Sequence, residues 1–189
     1  VFSVTVAVAA PLAAVATARA PRRTVLVSAA LVFTAANAGA AVSPAFPVLM
    51  ALRIVAALAA ATATPALFAT VARLAPPEGA GRAVAAVAFG VTGAIAFGVP
   101  AGAWIGGMSG WRATFALMAS AGALVAFGFA AALPRTAAEQ KVLPVRDQLA
   151  VLGRPAISLG LAANVVLMSG SMMLLTYLAA FAAALADAN

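Results

Sequence analysis

One arginine lies inside a long apolar stretch, and it is the first candidate for a functional residue. Arg53 interrupts the otherwise uncharged residues 24–72, about six residues or roughly 9 Å inside its predicted helix. A charge within a membrane helix is costly, up to about 2.5–3.5 kcal/mol near the helix centre. Two interpretations stay open: the guanidinium reaches back to the membrane interface, or it faces a polar cavity and pairs with a carboxylate. The apolar stretches contain no carboxylate, so such a partner would come from another helix or from a substrate.

A second pattern combines glycine with proline in a single apolar stretch. Gly98, Gly102 and Gly106 recur every four residues, so they lie along one face of a helix, and Gly107 follows directly. Small residues at this spacing let another backbone approach closely, while Pro100 removes a helix hydrogen bond and favours a kink. The pattern predicts either ordinary tight packing in a bundle or a surface on which another helix slides.

Few polar side chains lie in the apolar stretches, and most Ser and Thr residues of membrane helices bond to their own backbone. Asn37 and Asn164 are stronger candidates for function, because a bare amide facing lipid is costly. The residues that we predict to line a substrate pathway are Asn37, Thr92, Asn164 and Tyr177.

Several kinds of chemistry are disfavoured by the residues that the chain lacks. Cysteine is absent, so there is no disulfide framework and no thiolate metal site. Histidine is absent as well, which removes the commonest metal ligand and the usual general base. These absences disfavour most hydrolytic and metal chemistries but do not exclude every enzyme. A membrane enzyme would need clustered carboxylates or histidines facing a cavity, and the sequence shows none, so we expect no metal, no cofactor and no enzymatic activity.

The composition indicates that lipid surrounds most of the chain. Of the 189 residues, 66% are hydrophobic and 8% are charged, whereas a soluble domain carries roughly 25% charged residues. The remaining surface must face lipid. The net charge of +7 would fit a nucleic-acid partner, but the basic residues form short clusters between apolar runs. We expect the lipid bilayer as a partner and no nucleic acid.

The length of the apolar stretches predicts six membrane helices. A crossing needs about 20 apolar residues, so residues 24–72 and 83–133 must each turn once. Two prolines predict the first turn at residues 43–47, and glycines predict the second at 106–110. An alternative for the start of the chain is a signal peptide, because residues 18–20 form a weak cleavage pattern. The predicted spans are residues 1–18, 24–43, 47–72, 83–106, 111–133 and 156–184.

The distribution of charge predicts the orientation. Nine of the eleven basic residues lie in the alternate connections 19–23, 73–82 and 134–155, whereas the two turns between them hold none. By the positive-inside rule these connections are cytoplasmic. The chain starts and ends within apolar runs, so we expect a fragment of a longer protein. The predicted domains are an N-terminal bundle at 1–133, a cytoplasmic linker at 134–155 and the first helix of a second bundle at 156–189.

Together these features resemble the major facilitator superfamily, in its drug:proton antiporter branch and its sugar-efflux, arabinose efflux permease-like group. The resemblance covers nearly the whole chain, whose spans would be the second to seventh helices of the family. Residues 52–57 are similar to the motif whose arginine is implicated in proton coupling, which assigns that role to Arg53. Residues matching the glycine-proline antiporter motif are Gly98, Pro100, Gly102, Gly106 and Gly107. Residues matching the cytoplasmic loop motif and its neighbouring turn are Arg19, Arg22, Arg23 and Arg82.

The resemblance implies an all-α membrane protein, a polytopic helical bundle with six of the twelve transmembrane helices of a major-facilitator fold. It also implies a secondary active transporter that exports a drug or a sugar-like small molecule by proton antiport through alternating access. Its partners would be the small-molecule substrate and protons, with the full-length protein a monomer in the plasma membrane. The abundance of Ala, Gly and Arg beside a single Lys favours a bacterial source. The alternative function is a non-transporting membrane subunit or a non-functional transporter remnant.

Overall fold

The computed structural model describes residues 2–18, 20–134, 150 and 153–186, and this part of the chain is helical and contains no strand. Four of the helices are long and apolar enough to cross a membrane, which confirms the predicted polytopic bundle. Shorter apolar segments lie at Val4–Ala16 and Pro155–Ser171. The helices are α1 Phe2–Ala16, α2 Arg22–Ala41, α3 Phe46–Leu74, α4 Ala80–Ser109, α5 Trp111–Ala132 and α6 Pro155–Ala186.

The chain divides into two compact units, Val1–Gln140 and Lys141–Asn189. The first unit contains α1–α5, and the second contains α6. The boundary lies within the predicted linker 134–155, most of which is outside the described residues. The assignment of the two units to the two bundles of a longer protein stays a prediction.

Within the first unit, helix α2 packs against both α3 and α5. Helix α1 packs on α3, and α4 contacts both α3 and α5. Most of the buried core residues are alanines, which lets the helix backbones approach closely. Larger side chains fill the space near the start of α2, where Val25 and Leu26 pack with Ala66, Leu67 and Phe129.

The basic connections are shorter than predicted, because the helices continue into them. Arg22 and Arg23 begin α2, Arg73 lies in the last turn of α3, and Arg82 lies in the first turn of α4. Between α3 and α4 only a short segment with a 3-10 turn at Pro77–Gly79 remains. The 29 residues of α3 span about 43 Å, which exceeds the hydrocarbon thickness of about 30 Å. The charged ends of these helices can therefore reach the polar interface.

The predicted turn at 106–110 was placed too broadly. Helix α4 continues through Ser109, and Gly110 alone separates it from α5. Gly110 has φ 80° and ψ 165°, a backbone conformation that side chains with a Cβ rarely adopt. The preceding glycines stay helical, which satisfies their backbone groups in an apolar environment.

The helices α2–α5 place their ends in two groups. We name these groups the outer and the inner end after the predicted orientation, which stays a prediction. The outer end holds the α2–α3 turn at residues 42–45 and the α4–α5 turn at Gly110. The inner end holds the start of α2, the end of α3, the start of α4 and the end of α5. Arg22 and Arg73 lie close enough at this inner end for their charges to repel each other. This arrangement fits the predicted alternation of basic and uncharged connections.

Candidate functional site

Arg53 lies on α3, seven residues after the start of that helix and near the outer end. Its side chain is half-buried, and the backbone turn that follows it carries the buried residues Ala56 and Ala57. The carbon at the centre of the guanidinium lies 5.6 Å from the centroid of the Phe115 ring on α5. A guanidinium at this distance is attracted by the negative face of an aromatic ring. The predicted proton-coupling residue is thus tied to a second helix.

The Phe115 ring belongs to a larger group of side chains at the outer end. Trp111, one turn earlier on α5, meets Phe115 edge to face, with ring centroids 5.9 Å apart and an interplanar angle of 85°. Arg112 lies over the Trp111 ring at 4.5 Å, and its Nη2 donates a 3.0 Å hydrogen bond to the carbonyl oxygen of Ser43. We call the side chains of Arg53, Phe115, Trp111 and Arg112 the outer cluster.

The sequence alone assigns no role to Arg112 or Phe115. The available signal was the spacing of Trp111, Arg112 and Phe115 at the start of a helix, since residues four apart share a helix face. That spacing shows that the rings can meet, but it does not show which helix supplies the second cation. The contact with Arg53 required the tertiary structure.

At the inner end, the predicted loop motif contributes one tie between helices. Arg23 donates a hydrogen bond from Nη2 to the carbonyl oxygen of Ala130, which lies in the last turn of α5. A cation at a helix C-terminus also interacts favourably with the helix dipole. Arg82 is exposed, and Arg19 lies outside the described residues. The structure thus shows a hydrogen bond between two helices at Arg23, one of the four arginines of the predicted motif.

The four predicted motif glycines of α4 fall into two groups by their surroundings. A Cβ added at Gly102 would lie 3.4 Å from Cγ2 of Thr114, and one at Gly106 would lie 3.3 Å from its Oγ1. These two glycines face α5. A Cβ added at Gly98 or Gly107 would meet no atom within 4 Å. Within the described part of the chain, close packing therefore accounts for Gly102 and Gly106 and does not account for the other two.

The predicted pathway residues are divided between the two compact units. Asn37 is 1% exposed, and its Nδ2 donates a 2.8 Å hydrogen bond to the carbonyl oxygen of Phe33. Thr92 is exposed and donates to the carbonyl oxygen of Ala88, four residues earlier. Asn164 and Tyr177 lie on α6, in the second unit, with exposed side chains. The side chains of Asn37 and Thr92 thus bond to their own helices, and a transport role for all four stays a prediction.

An apolar cavity of about 310 Å³ lies among α2, α3, α4 and α5. The aromatic rings of Phe33, Phe68 and Phe129 line it, together with Met118 and several alanines and valines. Thr64 contributes the one polar side chain among the described lining residues, and its Oγ1 donates to the carbonyl oxygen of Ala60. The cavity therefore suits an apolar group and offers little for recognising a charged one.

One close approach of helices beside this cavity was missed by sequence reasoning. A Cβ added at Gly122 on α5 would lie 2.6 Å from Oγ1 of Thr34 and 3.1 Å from Cδ1 of Phe33, both on α2. Gly122 is buried, so the side chains of α2 occupy the space that a larger residue would need. Glycine is common in this chain, with 15 residues, and the sequence alone gives no reason to single out this one.

Comparison with known proteins assigns the chain to a family. Residues 1–187 match the sequence model of the Major Facilitator Superfamily. A chloramphenicol resistance protein of Streptomyces lividans is 38% identical over 181 residues, which cover 94% of this chain and 46% of that protein. The inner membrane transport protein YdhP of Escherichia coli K12 is 30% identical over 177 residues, covering 94% of this chain and 45% of that protein.

A chloramphenicol efflux pump of Mycobacterium tuberculosis H37Rv is 34% identical over 140 residues, which cover 74% of this chain and 32% of that protein. The chain thus spans less than half the length of each of these relatives. No solved structure matches the chain significantly. The family match over nearly every residue is decisive, and the chain belongs to the Major Facilitator Superfamily.

Proposed function

We propose that the whole protein exports a small drug-like molecule from a bacterial cell, in exchange for protons and through alternating access. The observation that carries the proposal is the 38% identity, over 94% of this chain, with a chloramphenicol resistance protein. A second relative is named as a chloramphenicol efflux pump, so chloramphenicol is the first substrate to test. We further propose that the protein works as a monomer in the plasma membrane.

The apolar cavity among α2–α5 supports a substrate with an apolar body. Its volume of about 310 Å³ is at the lower end of the range of roughly 300–1,000 Å³ that small-molecule pockets occupy. Three phenylalanine rings supply surface for an aromatic group, and the described lining residues carry no charge. This lining favours a neutral or weakly polar drug over a charged sugar phosphate or an amino acid.

In this proposal Arg53 couples protons to transport. A guanidinium stabilises a nearby carboxylate in its deprotonated form, and it loses that attraction when the carboxylate takes up a proton. The described residues contain a single carboxylate, Glu78, which lies at the inner end, far along α3 and α4 from Arg53. The carboxylate that responds to Arg53 therefore belongs to another part of the protein or to the substrate.

The part of the glycine face at Gly98 supports alternating access. Gly98 on α4 lacks close neighbours in the described structure, so another helix can approach the backbone there. In the proposal this face is the surface along which the two bundles rock about a site near the middle of the membrane.

Growth of a drug-sensitive host that expresses the full-length gene tests the proposal. We expect wild-type protein to confer resistance to chloramphenicol, and a protonophore to restore intracellular accumulation of labelled drug. Arg53→Ala should abolish the resistance, whereas Arg73→Ala removes a charge from the other end of the same helix and serves as the matched control. Unchanged accumulation with the protonophore, or full resistance with Arg53→Ala, would contradict proton coupling. If expression of the gene confers no resistance to chloramphenicol or to a panel of other toxic compounds, the alternative of a non-transporting protein is favoured.

A further inference from the structure

Arg53 and Arg112 lie at the two ends of a continuous series of side-chain contacts within the outer cluster. The guanidinium of Arg53 faces the Phe115 ring at 5.6 Å, and Phe115 meets Trp111 edge to face. Trp111 in turn lies under the guanidinium of Arg112 at 4.5 Å. Arg112 is anchored by its hydrogen bond to the carbonyl oxygen of Ser43, in the turn before α3. Arg112 therefore contacts Trp111 at one end of this series, and Arg53 contacts Phe115 at the other.

The charged residues of the described helices lie mostly at the end of the bundle opposite Arg53. Helix α1 carries no charged residue, and the arginines of α2 and α4 lie at the inner end. On α3 itself the other charge is Arg73, also at the inner end, and on α5 it is Arg112. The described outer end thus holds two arginines and no carboxylate, and the aromatic pair stands between them.

An aromatic ring differs from a carboxylate as a partner for Arg53. The ring attracts the guanidinium through its negative face but adds no opposite charge and no fixed hydrogen bonds. The Phe115 contact limits where the guanidinium lies without itself occupying the N–H groups, so it is compatible with binding of a carboxylate when that group loses its proton.

We propose that Phe115 is a positioning residue for Arg53, holding its guanidinium in place while the coupling carboxylate is protonated, with Trp111 fixing the ring. The inference rests on the proposed role of Arg53 in proton coupling and adds a residue that supports it from another helix. Phe115 does not touch the proton or the substrate. Its effect is carried by the position of the arginine.

The first experiment measures drug uptake by inverted vesicles that contain the full-length protein, as a function of pH under an imposed proton gradient. Phe115→Leu keeps an apolar side chain of similar size but removes the ring, and Phe115→Tyr keeps the ring. We expect Phe115→Leu to shift the pH profile and to lower the rate at its optimum by roughly fivefold, as loss of one cation–π contact predicts. Phe115→Tyr should restore the wild-type profile. Equal profiles for wild type and Phe115→Leu, or equal losses in both variants, would overturn the proposal.

A second measurement keeps the inference separate from the proposed function. Phenylglyoxal modifies accessible arginines, and mass spectrometry of the purified full-length protein gives the modification rate at Arg53 alone. We expect a roughly fivefold faster rate in Phe115→Leu, a wild-type rate in Phe115→Tyr, and an unchanged rate at Arg73 in all three proteins. A failure of proton-driven uptake in wild type would count against the proposed function. An unchanged Arg53 rate in Phe115→Leu would count against the positioning role.

Discussion

The Nη2 atom of Arg112 donates a 3.0 Å hydrogen bond to the carbonyl oxygen of Ser43, so the start of α5 is joined to the turn that follows α2. A second bond of the same kind lies at the opposite end of the same helix pair, where Arg23 at the start of α2 donates to Ala130 near the end of α5. The antiparallel helices α2 and α5 are therefore fastened at both ends, each by an arginine of one helix and a backbone carbonyl on or beside the other.

Replacing Arg112 with alanine should destabilise the bundle. Arg112 is an exposed residue, so the hydrogen bond that the change removes is worth about 0.5–1.5 kcal/mol, and the buried Ser43 carbonyl loses one donor. It also removes the guanidinium from the Trp111 ring. Thermal unfolding of the purified protein in detergent is the measurement, with the exposed Arg82→Ala as control. Equal unfolding temperatures for the two variants would show that the bond contributes nothing.

Replacing Arg23 with glutamine should destabilise the other end of the same helix pair by a comparable amount. The two arginine sites are separated by most of the 20-residue length of α2, about 30 Å. Sites this far apart have additive effects on the free energy of unfolding. The double variant Arg23→Gln with Arg112→Ala should therefore lose the sum of the single losses, as measured by denaturant titration. If the free energy of unfolding of the double variant equals that of the less stable single variant, the two hydrogen bonds are not independent.

Gly122→Ala should be among the more damaging small substitutions in α5. The new methyl group would lie 2.6 Å from Oγ1 of Thr34, so either this hydroxyl must leave its hydrogen bond to Ala30 or α2 and α5 must separate, at a cost of about 1–3 kcal/mol. Gly128→Ala on the same helix meets no atom within 4 Å and should be neutral or slightly stabilising. Adding Thr34→Ala to Gly122→Ala should recover part of the loss. The measurement is the unfolding temperature of each variant. An unchanged unfolding temperature for Gly122→Ala would show that the contact between α2 and α5 adjusts at little cost.

Gly98→Ala separates packing from transport on the glycine face. Because the added methyl group meets nothing in the described structure, we expect wild-type expression and unfolding temperature. If the face contacts the second bundle during the transport cycle, the same variant should lose drug export, because the methyl group keeps the backbones apart. Export assays in cells with matched protein levels test this expectation. Undiminished export by Gly98→Ala would remove Gly98 from the proposed sliding surface.

Much of the fold follows from hydropathy and charge, because lipid imposes simple constraints. Helices are required wherever an apolar chain crosses the membrane, since backbone polar groups must be satisfied internally. The prolines of the first predicted turn do mark a break, and Pro47 lies in the first turn of α3 as expected. Helix ends were less predictable. Gly106 and Gly107 were predicted to form part of a turn but remain helical, because glycine permits a turn and does not require one.

The candidate site was predictable only in part, for a different reason. Arg53 could be found because an isolated charge in an apolar helix is costly and therefore conspicuous. Its contact with Phe115 joins residues 62 positions apart, and nothing in the local pattern of either helix specifies that pairing. Gly122 could not be distinguished from other glycines until Thr34 was seen against it. The predicted pathway residue Asn37 is polar and buried, yet its amide bonds to its own helix.

Chloramphenicol transport by the purified full-length protein in liposomes is the most direct test of proton-coupled export through Arg53. With an imposed proton gradient and no other energy source, we predict drug movement against the proton flow, abolished by a proton ionophore. Arg53→Ala should lower the initial rate by about tenfold or more, equivalent to losing roughly 1.4 kcal/mol of interaction. Arg73→Ala should keep the wild-type rate. Drug movement that persists without the gradient, or that is unaffected by Arg53→Ala, would contradict proton-coupled export through this arginine.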